Sequence, residues 1–133
     1  MKHEVIQPPD WLPPKGYSNG ILARGGATLY VAGQIGWDPG QVLVGEGNLG
    51  IQFAQCLRNV VAVVKAAGGH PRQVVRMTIY VTDKKAYLAD TKFIGTAWRE
   101  SFGQHYPAMT LVEVADLLEE GAMVEIEATA VLP

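Results

Sequence analysis

Two carboxylates stand where a half-buried strand would carry apolar residues. In Met123–Val131 the sequence reads MVEIEATAV. Side chains two apart in a strand share a face, about 7 Å apart. Glu125, Glu127 and Thr129 therefore point one way, and Val124, Ile126, Ala128 and Ala130 the other. Acidic groups on one strand face need water, a cation, hydrogen-bond donors or a chemical task. A solvated sheet face is the plain reading. The chemical one is acid–base work: partial desolvation raises a carboxyl group's pKa, so a glutamate in a cleft can shuttle a proton or orient a water. Tyr17, in a proline-rich extended stretch, could reach such a cleft, and Trp37 beside a glycine turn could wall it.

Other chemistries find little support. His3, His70 and His105 are far apart, and no CxxC or H-E-x-x-H pattern occurs, so no metal site is expected. The single cysteine, Cys56, falls beside an apolar helical stripe and reads as a core residue. Ser18 and Ser101 lack a nucleophile elbow. Gly33-x-x-Gly36 does not open a helix, so it is not a phosphate cradle.

The chain has 133 residues, enough for one domain, and a formal net charge of −2 with no basic cluster. That argues against nucleic acid as a partner. No apolar run is long enough to span a membrane, and no export signal or cysteine pair is visible, so a cytoplasmic location is expected.

The elements that position these residues follow from periodicity. Residues 1–14, with four prolines, form an extended N-terminal segment. Gly20–Arg24 and Thr28–Gly33 read as a hairpin turning at Gly25–Gly26. Leu49–Ala67 is a helix with the apolar stripe Phe53, Leu57, Val60, Val64 and Ala67, capped by Asn48 and ended by Gly68–Gly69. Gln52, Gln55 and Asn59 fall on another face, which reads as its wet side, with binding the alternative. Val74–Val81 is a strand in which Val75, Met77, Ile79 and Val81 alternate with Val74, Arg76, Thr78 and Tyr80. Asp83 caps a single second helix, Lys84–Phe102, with the stripe Tyr87, Thr91, Ile94, Trp98 and Phe102. Gly95 weakens that helix by roughly 1 kcal/mol relative to alanine. Ala108–Val114 and Met123–Val131 close the order. The expected class is α+β, a two-layer sandwich with two helices on one face of a mixed sheet. The uncovered face suggests an oligomer.

Several segments together resemble the Rid family, the YjgF-like reactive-intermediate deaminases. They are KGYSNGI (15–21), LYVAGQIGWDP (29–39), Gln52 with Gln55 and Asn59, Val81-x-Asp83, Pro107-Ala108, LVEVADL (111–117) and VEIEATA (124–130). The resemblance implies a chorismate-mutase-like fold and a homotrimer, with sheets lining a central barrel and ligand clefts between subunits. It implies hydrolysis of imines or enamines to 2-keto acids and ammonia, without a cofactor. By resemblance, Glu125 is the water-positioning glutamate and Tyr17 the cleft tyrosine. Gly33 and Gln34 match a serine-glycine-glutamine segment, with Ala32 in place of the serine.

One departure bears on the ligand. The family's Pro-Ala-Arg, whose arginine grips the substrate carboxylate, is Pro107-Ala108-Met109 here. The asparagine that the family has near the second helix is also unmatched, in the neighbourhood of Gly95. Losing one partner of a buried charge pair costs roughly 2–5 kcal/mol. Arg24, Arg76 and Arg99 are candidate replacements. A pocket containing Met109, Leu111 and Trp37 favours a larger or less anionic ligand. The expected function is thus a divergent Rid-type hydrolase of imines, enamines or related C–N intermediates. The alternative is a non-catalytic, small-molecule-binding or regulatory trimer. An RNA-cleaving activity, known among some relatives, is disfavoured by the acidic balance.

Overall fold

The strand carrying Glu125 lies inside the main sheet, so its residues are tied down from both sides. The computed structural model describes residues 3–133. Its strands are β1 (Glu4–Ile6), β2 (Gly20–Leu22), β3 (Ala27–Gln34), β4 (Val74–Val81), β5 (Ala108–Glu113) and β6 (Val124–Leu132). Its helices are α1 (Leu49–Ala66), α2 (Lys84–Ala89) and α3 (Thr91–Phe102), with a 3-10 turn at Pro71–Gln73. The four-stranded sheet has the order β3-β6-β4-β5. Pairs β3–β6 and β4–β6 are antiparallel, and β4–β5 is parallel. A parallel pair needs a crossover, which α2 and α3 provide.

The result is the expected α+β two-layer sandwich. All helices cover one sheet face, where Phe53, Leu57, Val60 and Val64 of α1 meet Val124, Ile126, Ala128 and Ala130 of β6. The alternation in β6 is as the sequence predicts: Glu125, Glu127 and Thr129 lie on the open face. Asn48 caps α1, its side chain accepting from the Ile51 N–H at 3.0 Å, and Gly68 takes a positive φ beyond its end. Among the described residues no helix is long and apolar enough to cross a membrane.

Four expectations need correction. β2 does not form a hairpin with β3; it pairs with β1 in a separate two-stranded sheet, and β3 pairs with β6. Gly25 is where the chain passes the end of β6, and a Cβ there would lie 2.5 Å from the Leu132 carbonyl oxygen. Close approach, not a tight turn, requires this glycine. Second, Lys84–Phe102 is two helices, broken at Asp90 (φ −128°, ψ 24°). The Asp90 carboxylate lies against Gly50 at the start of α1, where any side chain would collide with it. The break leaves Thr91 exposed, although Ile94, Trp98 and Phe102 are buried as expected. Third, a bulge between Val74 and Arg76 turns Val74 rather than Val75 fully into the core. Fourth, the amide side of α1 is not simply wet: Gln52 is fully buried.

Candidate functional site

Glu125 owes its position to a bulge in the neighbouring strand. Val31 pairs with Ala128 and Gln34 with Ile126, so β3 carries one extra residue around Ala32–Gly33. Bulges re-aim side chains and recur beside functional sites. Here the Glu125 carboxylate lies directly over Gly33, and a Cβ at Gly33 would occupy its place. A cavity of about 380 Å³ opens at this point, lined by Gly33, Gln34, Trp37, Gln41, Glu119 and Glu125. Next to it on the open face, the Tyr80 hydroxyl donates to a Glu127 carboxylate oxygen at 3.3 Å. Desolvation and the adjacent Glu127 raise the Tyr80 pKa.

The loop bearing Trp37 is fastened to α1 by the amides. The Asn59 Nδ2 donates to the carbonyls of Ile35 (3.1 Å) and Trp37 (2.8 Å). Gln52 Nε2 donates to the carbonyls of Gly45 (3.2 Å) and Gly121 (3.1 Å), and its Oε1 accepts from the Met123 N–H at 2.8 Å. Gly36 allows this loop to lie on the helix, since a Cβ there would be 2.9 Å from the Gln52 Cβ. Gln52 and Asn59 are therefore positioning residues that periodicity missed. The signal was present in amides at helical spacing beside a Gly/Pro-rich loop whose carbonyls need donors.

Tyr17, Met109 and Leu111 line a different concavity, of about 320 Å³, on the helix side of the sheet edge. Tyr17 is brought there because the N-terminal segment is stitched to β5. The Ser18 N–H donates to the Pro107 carbonyl at 3.0 Å, and Ser18 Oγ donates to the Tyr106 carbonyl. Met109 and Leu111 sit opposite Met77 and Ile79 of β4, both core residues, so they face the helices. Trp98 stacks on Phe102 (4.7 Å) and Tyr106 (5.9 Å) to build one wall. Of the three candidate arginines, Arg24 pairs with Glu4 at 3.6 Å and Arg76 reaches Thr110 on the open face, whereas Arg99 lines this concavity.

The predicted site residues thus fall into two groups within one chain. Gly33, Gln34, Trp37 and Glu125 share one cavity; Tyr17, Met109 and Leu111 share the other. β4 separates the strands that carry them. Among the described residues no group of three or more His, Cys, Asp or Glu is arranged to hold a metal ion. Cys56 is fully buried, its sulfur 3.7 Å from the Val124 carbonyl oxygen, and burial followed by the charge of Glu125 pushes its pKa up. It is an inert core thiol.

These features define a small α+β domain with helices on one face and a carboxylate-bearing open sheet face. Known proteins place it further. Residues 10–132 match the family described as Endoribonuclease L-PSP. A RutC family protein of Synechocystis is 36% identical over 134 residues, covering 100% of this chain and 99% of the relative. The 2-iminobutanoate/2-iminopropanoate deaminase of Homo sapiens is 31% identical over 115 residues, covering 86% and 79%. The crystal structure of the Rid-family protein YyfB from Yersinia pestis superposes with a TM-score of 0.89 at 33% identity, covering 99% and 100%. The chain belongs to the YjgF/Rid family.

Proposed function

We propose that this protein hydrolyses an imine or enamine to a carbonyl compound and ammonia, in clefts formed between copies of the chain in a homotrimer. The observation that carries this reading is the Glu125 carboxylate seated over Gly33 at the wall of a cavity. The separation of the two residue groups supports the assembly. A cavity bearing Glu125 on one copy, apposed to one bearing Tyr17 and Met109 on another, makes one site from two halves. The open face also carries Tyr30, 79% exposed, and Val112, which a partner would cover. The human relative's name supports the reaction class.

The chemistry needs only a positioned water. An enamine first tautomerises to the imine. Glu125 accepts a proton from water as the oxygen bonds to the imine carbon, and the C=N pair moves to nitrogen, which takes that proton from Glu125. In the resulting carbinolamine the hydroxyl proton passes through Glu125 to the amino nitrogen, and the C–N bond breaks as C=O forms, releasing ammonia and leaving Glu125 as the carboxylate. A positioned carboxylate contributes on the order of 10²–10⁴-fold to such a step. Tyr17 supplies a hydroxyl from the facing half, and Gly33, Gln34, Trp37, Met109 and Leu111 form the walls.

The test is ammonia release from freshly generated 2-imino acids. Glu125→Gln is expected to lower the rate by about 10²-fold or more while leaving the fold intact. Equal rates for the two proteins would remove Glu125 from the reaction. Met109, apolar where the family's carboxylate grip would be, favours a second reading as a metabolite-binding trimer without turnover. Saturable ligand binding with no Glu125-dependent turnover of any imino acid would select it.

A further inference from the structure

We propose that the concavity between α3 and β5 receives a large apolar side chain, aromatic or branched, with Arg99 at its rim taking the ligand's carboxylate. In that arrangement the charge absent at Met109 is supplied from the facing helix, and Gly95 is the residue that sets the size of the ligand. The identification of this ligand as a 2-imino acid rests on the reaction proposed above; the pocket and its selectivity do not.

Gly95 is the first argument. It lies within α3 without a positive φ, so the backbone does not require glycine there, and glycine weakens a helix. What it provides is room. A Cβ at this position meets only the Arg99 Nη1, at 3.4 Å. The cavity beneath it is walled by Phe53, Ile79, Ile94, Trp98, Met109 and Leu111. Its volume of about 320 Å³ falls within the range of small-molecule sites, roughly 300–1,000 Å³. A three- or four-carbon acid would leave most of those apolar walls unmatched.

Charge is the second. Among the described residues, Arg99 and Lys15 are the charged side chains lining the cavity, and no carboxylate lines it. Among the described residues no carboxylate lies within 4 Å of Arg99. Its guanidinium makes a hydrogen bond to Thr96 Oγ1 at 3.3 Å, which leaves most of its donors available. An apolar floor under a cationic rim suits an anion with an apolar tail, and guanidinium matches carboxylate geometry in a two-pronged contact.

The experiment uses the full chain and three unreactive probes: 3-phenylpropanoate, propanoate and neutral 3-phenylpropanamide. Binding is followed by the NMR resonance of the Trp98 indole N–H. Phenylpropanoate is expected to bind about tenfold or more tightly than either of the others. Arg99→Gln should abolish the preference for acid over amide and keep the preference for phenyl. Gly95→Leu, which strengthens the helix, should abolish the preference for phenyl and keep propanoate binding. Unchanged phenylpropanoate affinity in either variant, or no saturable binding of any probe, would overturn the assignment. Failure here is separable from failure of the reaction. If Glu125→Gln turns over normally while the probe pattern holds, the reaction falls and the pocket stands. If Glu125→Gln is inactive but Arg99→Gln binds all probes as the wild type does, the reverse holds.

Discussion

At the scale of single residues, two close contacts carry most of the site's geometry. Gly33 leaves the space that the Glu125 carboxylate fills. Gly33→Ala should displace that carboxylate, lowering imine hydrolysis by about 10²-fold while shifting Tm by only a few degrees; steady-state rates beside a melting curve check this. Gln52 is fully buried and satisfies two carbonyls and one N–H. Gln52→Leu matches its size but strands those groups, so a loss of about 2–4 kcal/mol is expected from urea unfolding. The amphipathic stripe of α1 was legible because burial repeats with the helix. Gln52 was not, because its value lies in loops distant along the chain, and periodicity assigns a polar residue to water by default.

At the scale of elements, β4 had the boundaries that alternation predicts, and β6 the expected faces. Pairing partners were less visible. Gly25–Gly26 carries the same local signal whether it makes a tight turn or a close passage beside β6. The helix break at Asp90 likewise depends on Gly50 of another helix, which no local window contains. The direction of Met109 follows from the parallel register of β5 on β4, a long-range fact. The joint between α3 and β5 also carries a pH dependence. His105 Nε2 donates to the Val74 carbonyl at 2.7 Å, and burial lowers its pKa below 6.5 against the opposing pull of that hydrogen bond, with His3 and His70 adding to the lowering. The unfolded chain therefore binds this proton at higher pH than the folded one. Stability contributed by neutral His105 is present above pH 6.5 and is lost as the pH falls from there through the folded pKa. Melting between pH 8 and 5 should show that decline, and His105→Gln should flatten it.

At the scale of the whole molecule, one sheet face is sealed by helices and the other presents Tyr30, Tyr80, Arg76, Glu127 and Val112. Light scattering is expected to give three chain masses. Tyr30→Glu should shift the population toward single chains by adding a charge to the face that copies would share in the proposed trimer. Hydrolysis should fall in parallel with trimer content, since the proposed site takes one half from each of two copies. A Tyr30→Glu protein that scatters as a single chain and retains full turnover would separate catalysis from assembly.

Cys56 gives the molecule a built-in clock. Its sulfur lies under the sheet at zero exposure, beneath the strand that carries Glu125. A thiol-reactive dye cannot reach it until α1 lifts from β6, so labelling counts openings of the layer interface. The reaction should be slow in native buffer and accelerate with urea. Because α1 also fixes Gln52, which holds the Met123 N–H just before β6, ligands that steady the cleft should slow the clock. The lone thiol then reports occupancy of the pocket on the opposite face of the sheet without any engineered probe.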